Sequence, residues 1–409
     1  MIRFFAALTA LIIFYFCYGI YVAQMDIEIL PSEIKREHPH GFHDYRGAIN
    51  VETNLSRGSA HPLQVIEEAQ RAGLDFLILT DVNQFSQAES FNGYHDRVLV
   101  MSEAEYAFLD SRLLLVEKGP QRTLTQASEA NLYLTDTLSQ EWNQGREAMV
   151  ILAHPFVRGQ PTWTGAYPPG LHGIEILNPK AIGENSWLDS KLNVIWSLLT
   201  YPFNPKYAFL RLFREPIEET SLWDSISAAR PFYGFAGADA SARAVPLANY
   251  FVRFPSYQRS LEIVSNHILL GSELTGNFSK DRQKIYQAFR SGNFYAALDL
   301  LGDPRGFNAV LSDHDHAYLM GSRIDLKAGL VLTAKLGHQL NVDYELVLLK
   351  DGQRELMVHE PELNYEIKSP GVYRIVVRVC PTLPLPDGKK WMTWIYTNSF
   401  YVSALGRRN

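Results

Sequence analysis

The chain has 409 residues, of which 46% are apolar and 20% charged, and this composition predicts folded domains rather than a disordered chain. Its length favours two or three folded units. The formal net charge is −6 and there is no block of Lys or Arg, so nucleic acid is not expected as a partner. Cys17 and Cys380 are the two cysteines, and they are not expected to pair because Cys17 lies in an apolar N-terminal run.

The first predicted element is the uncharged apolar run from Phe4 to Ala23. A helix over this run would be about 30 Å long, which is enough to cross the hydrocarbon core of a bilayer. Arg3 precedes the run, while Asp26 and Glu28 follow it, and this asymmetry favours a cytoplasmic N-terminus. We therefore predict a transmembrane anchor over residues 1–24, a polar linker over residues 25–45, and extracytoplasmic main domains in the periplasm or the extracellular space.

A cleaved signal peptide is the alternative to an anchor. The apolar run is long for a signal peptide, and Tyr21-Val22-Ala23 is a poor small-x-small cleavage site because of its tyrosine. The anchor is therefore the favoured interpretation, and it makes the membrane the first expected partner.

Short apolar runs alternate with amphipathic stretches between residues 46 and 301. A helical pattern begins at Pro62 and ends at Gly73. The predicted strands are Ala48–Val51, Leu74–Leu79, Val98–Met101, Ala148–Ala153, Gly173–Leu177 and Tyr233–Ala236. Strands separated by helices predict parallel pairing in an α/β sheet or barrel.

After Gly302 the pattern changes to short β-like runs. Turn signals at Asp351-Gly352 and Pro370-Gly371 punctuate these runs, and no helical period interrupts them. The runs are Leu330–Leu332, Tyr344–Leu349, Tyr365–Ile367, Val372–Val379 and Trp394–Val402. This pattern predicts a β-sandwich of immunoglobulin-like type over residues 302–409.

Polar side chains stand at or near the ends of successive predicted strands. They are Asn50, Glu52, Asp81, Glu105, His154, Glu175 and Asp239. In α/β folds, functional residues gather just past the C-terminal ends of the strands. Each of these residues has a structural alternative, such as a cap or a turn, but their shared position favours a site. Carboxylates and a histidine at one rim are suitable ligands for a divalent metal ion.

Five motifs between residues 45 and 245 resemble, in order and spacing, those of the PHP (polymerase and histidinol phosphatase) superfamily. They are Tyr45–Gly58 at the place of the opening His-x-His motif, Thr80-Asp81-Val82-Asn83, Glu105 at the place of the bridging glutamate, Ala153-His154-Pro155, and Gly237-Ala238-Asp239-Ala240-Ser241. Trp394–Val402 is similar to the β-sandwich tail of extracytoplasmic PHP proteins of the CehA/McbA type. The resemblance implies a distorted, TIM-like (β/α)7 barrel, a two- or three-metal cluster, and hydrolysis of phosphoesters or related esters.

The chain departs from the family pattern at four histidine positions. Asn50, Glu52, Val82 and Ser241 occupy these positions. Valine has no lone pair and serine is a weak neutral ligand, so the metal position that Val82 and Ser241 would serve is expected to be lost. The acidic residues of the motifs and His154 are retained.

The retained residues define the candidate site. The predicted metal ligands are Glu52, Glu105, His154 and Asp239, the predicted catalytic residues are Asp81, Glu105 and His154, and the predicted substrate contacts are Asn50 and Arg57. Such an oxygen-rich set favours one hard ion, Mg²⁺, Mn²⁺ or Ca²⁺, over Zn²⁺. Carboxylates that converge must otherwise have raised pKa values or bind another cation.

Three functions are compatible with this pattern. The first is a non-catalytic, ligand-binding PHP-like protein, with a small anionic ligand or phosphoester contacted by Arg57. The second is an active phosphoester or related ester hydrolase with a reduced hard-metal site. The third is a structural protein whose β-sandwich docks a partner. The first is favoured because four expected ligands are replaced.

Two further segments carry weaker signals. Asp313–His316 contains ligand-like residues, but its position between the predicted domains favours a solvated loop. Leu192–Phe213 is rich in aromatic residues. It could lie on a membrane surface or gate a cleft, or it could pack as a helical pair against the barrel.

Overall fold

The structure is a computed structural model. It describes residues 1–31, 42–82, 88–107, 112–116, 149–159, 163, 167, 169–242, 244–247, 250–253 and 255–404. Residues 32–41 of the predicted linker and Asn83 of the second motif lie outside the described residues.

Seven strands between residues 43 and 240 close into a barrel, and one further short strand pairs beside them. The strands here are β1 (His43–Val51), β2 (Phe76–Val82), β3 (Gly93–His95), β4 (Val98–Ala107), β5 (Arg112–Val116), β6 (Met149–Ala153), β7 (Gly173–Leu177) and β8 (Tyr233–Ala240). The C-terminal half of β1 pairs in parallel with both β2 and β8, which closes the barrel, while β3 forms a hairpin with β4. The predicted α/β class and every predicted strand of this region are confirmed.

One barrel strand breaks the parallel pattern. β5 is antiparallel to both β4 and β6, whereas the other five neighbouring pairs of the barrel are parallel. The barrel is therefore not a uniform repeat of strand and helix. Alternate residues of each strand face opposite sides. Ile78, Met101 and Ile151 thus share one buried cluster, while Leu77 and Val100 belong to another that packs with the first helix of the barrel.

Eight helices lie in the described part of the chain. They are α1 (Ile2–Gln24), α2 (Pro62–Arg71), α3 (Pro179–Asp189), α4 (Lys191–Thr200), α5 (Pro205–Leu210), α6 (Ile217–Ser227), α7 (Tyr257–Leu261) and α8 (Phe278–Ser291), with short 3₁₀ turns at Ala88–Phe91 and Asp299–Leu301. Side-chain caps define where several begin: Asn178 accepts a hydrogen bond from Ala181 N, and Ser190 and Asn204 cap α4 and α5 in the same way.

The N-terminal helix α1 is long and apolar enough to cross a membrane, by its length and composition. A membrane anchor and a signal sequence both meet this criterion. The chain that follows α1 is packed rather than free, because Ile27, Ile29 and Leu30 are buried and Ile29 N donates to Leu301 O.

The remaining strands extend the barrel sheet and add a second sheet. They are β9 (Ala244–Leu247), β10 (Tyr250–Arg253), β11 (Ser265–Leu270), β12 (Phe294–Ala297), β13 (Asn308–Ser312), β14 (Ala317–Tyr318), β15 (Arg323–Asp325), β16 (Val331–Lys335), β17 (Asp343–Lys350), β18 (Gln353–Val358), β19 (Glu362–Glu366), β20 (Gly371–Cys380), β21 (Thr382–Leu383), β22 (Gly388–Lys389), β23 (Met392–Thr397) and β24 (Phe400–Ser403). The β-rich pattern predicted after Gly302 is confirmed, although the last predicted run is divided into β23 and β24.

The barrel and the C-terminal part share one continuous sheet. The N-terminal half of β1 pairs with β11, β11 with β12, and β12 with β23 of the C-terminal part. A second sheet, in the order β14-β13-β16-β19, faces it across a common core that includes Leu332, Leu363, Leu348 and Ile375. The boundary predicted at residue 301 stays a prediction, and backbone hydrogen bonds cross it.

A buried ionic network lies at this junction. His267 on β11 is fully buried, with Nδ1 2.9 Å from Asp44 Oδ1 and Nε2 3.2 Å from Asp299 Oδ1. Arg46 Nε donates to Asp299 Oδ2 at 2.5 Å, and Tyr295 OH donates to Asp44 Oδ2 at 2.6 Å. Burial lowers the pKa of His267, but the two aspartates outweigh burial and raise it to about 10. The imidazole is therefore a buried cation held between two carboxylates.

Candidate functional site

Backbone conformation marks one rim of the barrel. Asn50, His154 and Asp239, at the ends of β1, β6 and β8, have φ values of 61°, 28° and 42°. Positive φ is uncommon for residues other than glycine, costs about 1–3 kcal/mol and is concentrated at functional sites. Three separate strands therefore end in strained residues at the positions where the sequence places the candidate site.

Arg57 lies between two buried carboxylates of this rim. Its Nε donates to Glu52 Oε2 at 3.0 Å, its Nη2 donates to Glu52 Oε1, and the same Nη2 is 3.2 Å from Glu105 Oε2. The other oxygen of Glu105 accepts from Arg112 Nη1 at 3.1 Å. Glu52 and Glu105 are each 1% exposed. Two guanidinium groups thus bind all four oxygen atoms of these carboxylates.

Lys180 compensates the charge of the third carboxylate, Asp239. Lys180 Nζ lies 2.9 Å from Asp239 Oδ1, and Asn178 Nδ2 donates to Asp239 Oδ2 at 3.2 Å. Lys180 reaches the rim because Asn178 caps α3 directly after β7. The charges of Glu52, Glu105 and Asp239 are therefore each compensated by a cation from within the chain.

Glu175 forms the floor of the site. Its oxygens accept from Asn50 Nδ2 at 2.7 Å, from His154 N at 2.8 Å and from Asn178 Nδ2 at 2.9 Å. Gly237 is required beneath it, since a Cβ atom there would collide with the Glu175 carboxylate. Among the described residues, the buried Asn50 Oδ1 finds no hydrogen-bond donor, which leaves one free acceptor at the site.

The pKa values of the site show that its charges interact. Burial raises the pKa of Glu105 to about 7, with Glu52 and Asp239 adding to the effect and Arg112 and Arg57 opposing it. Burial raises the pKa of Asp239, but Lys180 and His154 hold it below its usual value. Burial lowers the pKa of His154 to about 4, so this side chain is neutral at physiological pH.

Burial also raises the pKa of Glu175 to about 8, and nearby Asp239 contributes, although the donated hydrogen bonds oppose the shift. Both carboxyl groups with raised pKa values, Glu105 and Glu175, accordingly lose part of their charge near neutral pH. The rim therefore carries less negative charge near neutral pH than its number of carboxyl groups indicates.

Asp81 faces a different set of partners. Its Oδ1 accepts from Thr53 N at 2.7 Å and from Ser56 Oγ at 2.7 Å, while its Oδ2 accepts from Thr53 Oγ1 at 2.9 Å. These bonds hold the turn that carries Arg57. The structure therefore groups Asn50, Glu52, Arg57, Glu105, His154 and Asp239 at one rim and turns Asp81 toward the adjoining turn.

The residues at the rim do not fit a divalent metal ion in this arrangement. Such an ion needs free carboxylate lone pairs, whereas the carboxylates of Glu52, Glu105 and Asp239 are already paired with cations. In the described part of the chain, one group of three potential ligands has its donor atoms within 4.8 Å of one another, and it is Asp313, Asp315 and His316.

That group lies in the turn between β13 and β14. Asp313 Oδ1 accepts from Asp315 N and His316 N, each at 2.8 Å, and Asp313 is paired with Lys327. Asp315 and His316 are exposed. The carboxylate thus stabilises a surface turn, as the sequence indicated for this loop.

Three residues of the site were missed by the sequence analysis. Asn178 and Lys180 follow β7, and the Asn-Pro pair at Asn178-Pro179 is a recognisable start of a helix that could have located them. Arg112 lies on β5, a strand that the apolar pattern did not predict. Its place beside Glu105 follows from antiparallel pairing, which no local motif reveals.

No family model matches the chain, and no curated protein matches it. The chain is similar to solved structures at low identity. A two-domain protein from Bacteroides vulgatus that contains a predicted PHP-like metal-dependent phosphoesterase is 15% identical, with a TM-score of 0.36, over 90% of this chain and 98% of that one.

PsfC from Pseudomonas syringae is 12% identical, with a TM-score of 0.36, over 58% of this chain and 87% of that one. An inferred metal-dependent phosphoesterase from Bifidobacterium adolescentis is 10% identical, with a TM-score of 0.26, over 51% of this chain and 92% of that one.

Proposed function

We propose that this protein is a membrane-anchored, non-catalytic PHP-like protein whose barrel rim binds a small anionic ligand. The observation that carries the proposal is the position of Arg57, whose guanidinium contacts both Glu52 and Glu105. Together with Arg112 and Lys180, it supplies from within the chain the positive charge that converging carboxylates need.

Internal cations are a poor substitute for a catalytic metal. Two-metal hydrolysis uses one ion to generate the nucleophilic water and another to stabilise the leaving oxygen. A guanidinium or ammonium group can neutralise carboxylates, but it has no open coordination position for water. A divalent ion at this rim would be repelled by Arg57, Arg112 and Lys180 unless these side chains moved away.

The same cations favour an anionic ligand. The side chains of Arg57, Lys180 and Arg112 are 40%, 30% and 25% exposed, whereas those of the carboxylates beneath them are 1–4% exposed. The outer face of the site is therefore made of donors. A phosphate or phosphoester oxygen is a suitable acceptor for such a set because charge-assisted bonds to guanidinium groups are strong and directional.

The test uses the full chain, purified in detergent and reconstituted in lipid nanodiscs. Its metal content is measured, its turnover of an aryl phosphate is measured with and without Mn²⁺, and its binding of inorganic phosphate is measured by calorimetry. We expect no stoichiometric metal, no turnover and saturable phosphate binding. Lys180→Met should weaken phosphate binding, whereas Lys389→Met, which breaks the exposed pair between Lys389 on β22 and Asp343 on β17, should not.

An active hydrolase with a reduced hard-metal site is the second candidate. It is favoured by the strained backbone at Asn50, His154 and Asp239 and by the pKa of Glu105 near 7, which suits a general acid or base. Mn²⁺-dependent turnover that Glu105→Ala or Asp239→Ala abolishes would establish this candidate and refute the first.

A further inference from the structure

The C-terminal third of α1 packs against the protein body, and the rest of α1 does not. Ile2–Phe14 is exposed along its whole length, whereas Gly19 and Val22 are buried. Tyr15 OH donates to Leu199 O at 2.9 Å, and Tyr18 contacts Trp196 with ring centroids 5.2 Å apart. The contacts thus join α1 to α4.

The length of the exposed part is too short for a membrane span. At 1.5 Å per residue, Ile2–Phe14 is about 20 Å long, compared with about 30 Å for a hydrocarbon core. Thinning the bilayer by the missing ~10 Å would cost fractions of a kcal/mol for each ångström. The packed segment Tyr15–Ala23 can supply the remaining length of helix without this cost. An α1 that spans the membrane therefore has its contact with α4 inside the bilayer.

The direction of α4 follows from its partners. Trp196 contacts Tyr18 and Leu199 contacts Tyr15, so α4 runs antiparallel to α1. The C-terminal end of α4 is therefore the end that would lie deeper in the bilayer. The turn after α4 lies at the same depth, where the ring centroid of Phe203 is 5.3 Å from that of Tyr15.

After this turn the chain runs back toward the C-terminal end of α1. Asn204 Nδ2 donates to Val22 O at 3.1 Å, and Lys206 Nζ is 4.0 Å from Glu28 Oε1. Arg211, which follows α5, is paired with Asp387 at 2.9 Å and donates from Nη1 to Asn193 O at 2.8 Å and to Ser197 Oγ at 3.3 Å, in the first two turns of α4. α4 and α5 therefore form a hairpin whose turn lies beside Tyr15 and whose two ends lie toward the C-terminal end of α1.

The outer face of α4 has the chemistry of a lipid contact. Leu192, Ile195, Leu198 and Leu199 are 79%, 44%, 47% and 43% exposed, and spacings of three and four residues place them on one side of the helix. Ser197 and Thr200 are buried. At the shallow end, Lys191 Nζ lies 5.7 Å from the ring centroid of Trp187, and both residue types are common at membrane interfaces.

We infer that α4 and the turn that follows it enter the part of the bilayer nearest the protein body, beside α1. The apolar face of α4 would then contact lipid acyl chains. This inference rests on the membrane span of α1 in the proposed function. Its consequence is that the body of the protein is fixed to the membrane in one orientation, since Ile27, Ile29 and Leu30 after α1 are packed into the core.

The test places an environment-sensitive fluorophore on single cysteines of the full chain in phosphatidylcholine vesicles that contain spin-labelled lipid quenchers. Native Cys17 is exposed on α1 and reports the span itself, while Cys380 is buried. In a Cys17→Ser background, Leu199→Cys reports the deep end of α4 and Leu192→Cys the shallow end. Leu63→Cys, at an exposed leucine on α2, is the matched control.

We expect quenching at Leu199→Cys comparable with that at Cys17, quenching of Leu192→Cys by shallow spin labels only, and no quenching at Leu63→Cys. Quenching at Cys17 without quenching at Leu199→Cys would refute the inference and leave the anchor intact. Absence of quenching at Cys17 would refute the anchor, and the inference with it. Disulfide-linked dimers of Leu199→Cys in place of lipid quenching would show that a second copy covers this face.

Discussion

Arg57→Ala removes the cation that joins Glu52 to Glu105, and its effect follows from burial. Breaking a fully buried ion pair costs about 3–5 kcal/mol because a charge is left without a partner. The side chain of Arg57 is 40% exposed, so water reaches one side of it. We expect the free energy of unfolding at pH 8 to fall by about 2 kcal/mol after this screening is included.

The same substitution should create a metal site. Without Arg57, the oxygens of Glu52 that it bound and one oxygen of Glu105 become available to a hard ion. Mn²⁺ at about 100 times its Kd would then restore ~2.7 kcal/mol of stability. The wild-type protein should show no such stabilisation, since the guanidinium occupies the position.

Thermal unfolding of the full chain in nanodiscs, with and without Mn²⁺, measures both effects. Arg282→Ala is the matched control because Arg282 pairs with a different buried carboxylate, Glu103, at 2.9 Å. It should lose stability without gaining a response to Mn²⁺. Equal stabilisation of the wild type and Arg57→Ala by Mn²⁺ would refute the idea that Arg57 replaces a metal.

Three further predictions concern buried groups. The folded-state pKa of Glu105 is raised from 4.5 to about 7, so the wild type should lose stability as pH rises through this range, and Glu105→Gln should flatten that part of the unfolding profile. His267→Gln should lower the free energy of unfolding by about 3–5 kcal/mol near neutral pH, measured by denaturant titration. The loss should be smaller above the raised pKa of about 10, where the wild-type imidazole is neutral. Gly237→Ala should displace Glu175 and lower the melting temperature, with Gly183→Ala, where a Cβ has free space, as its control.

The sequence determined the parts of this protein that depend on local pattern. Apolar runs of strand length predicted β2, β6, β7 and β8, and the charge-free run predicted α1, because burial and membrane insertion both require consecutive apolar residues. Polar residues at strand ends also indicated the rim, since parallel strands bring their C-terminal ends to the same side.

Only the tertiary structure decided what fills that rim. Arg112 reaches Glu105 through the antiparallel pairing of β4 with β5, and Lys180 reaches Asp239 across 59 residues of sequence. The sequence shows which carboxylates converge, but not which cations converge with them, because a salt bridge depends on distance and burial rather than on order along the chain. In the same way, composition revealed the apolar α1, and only packing revealed that α4 lies beside its last third.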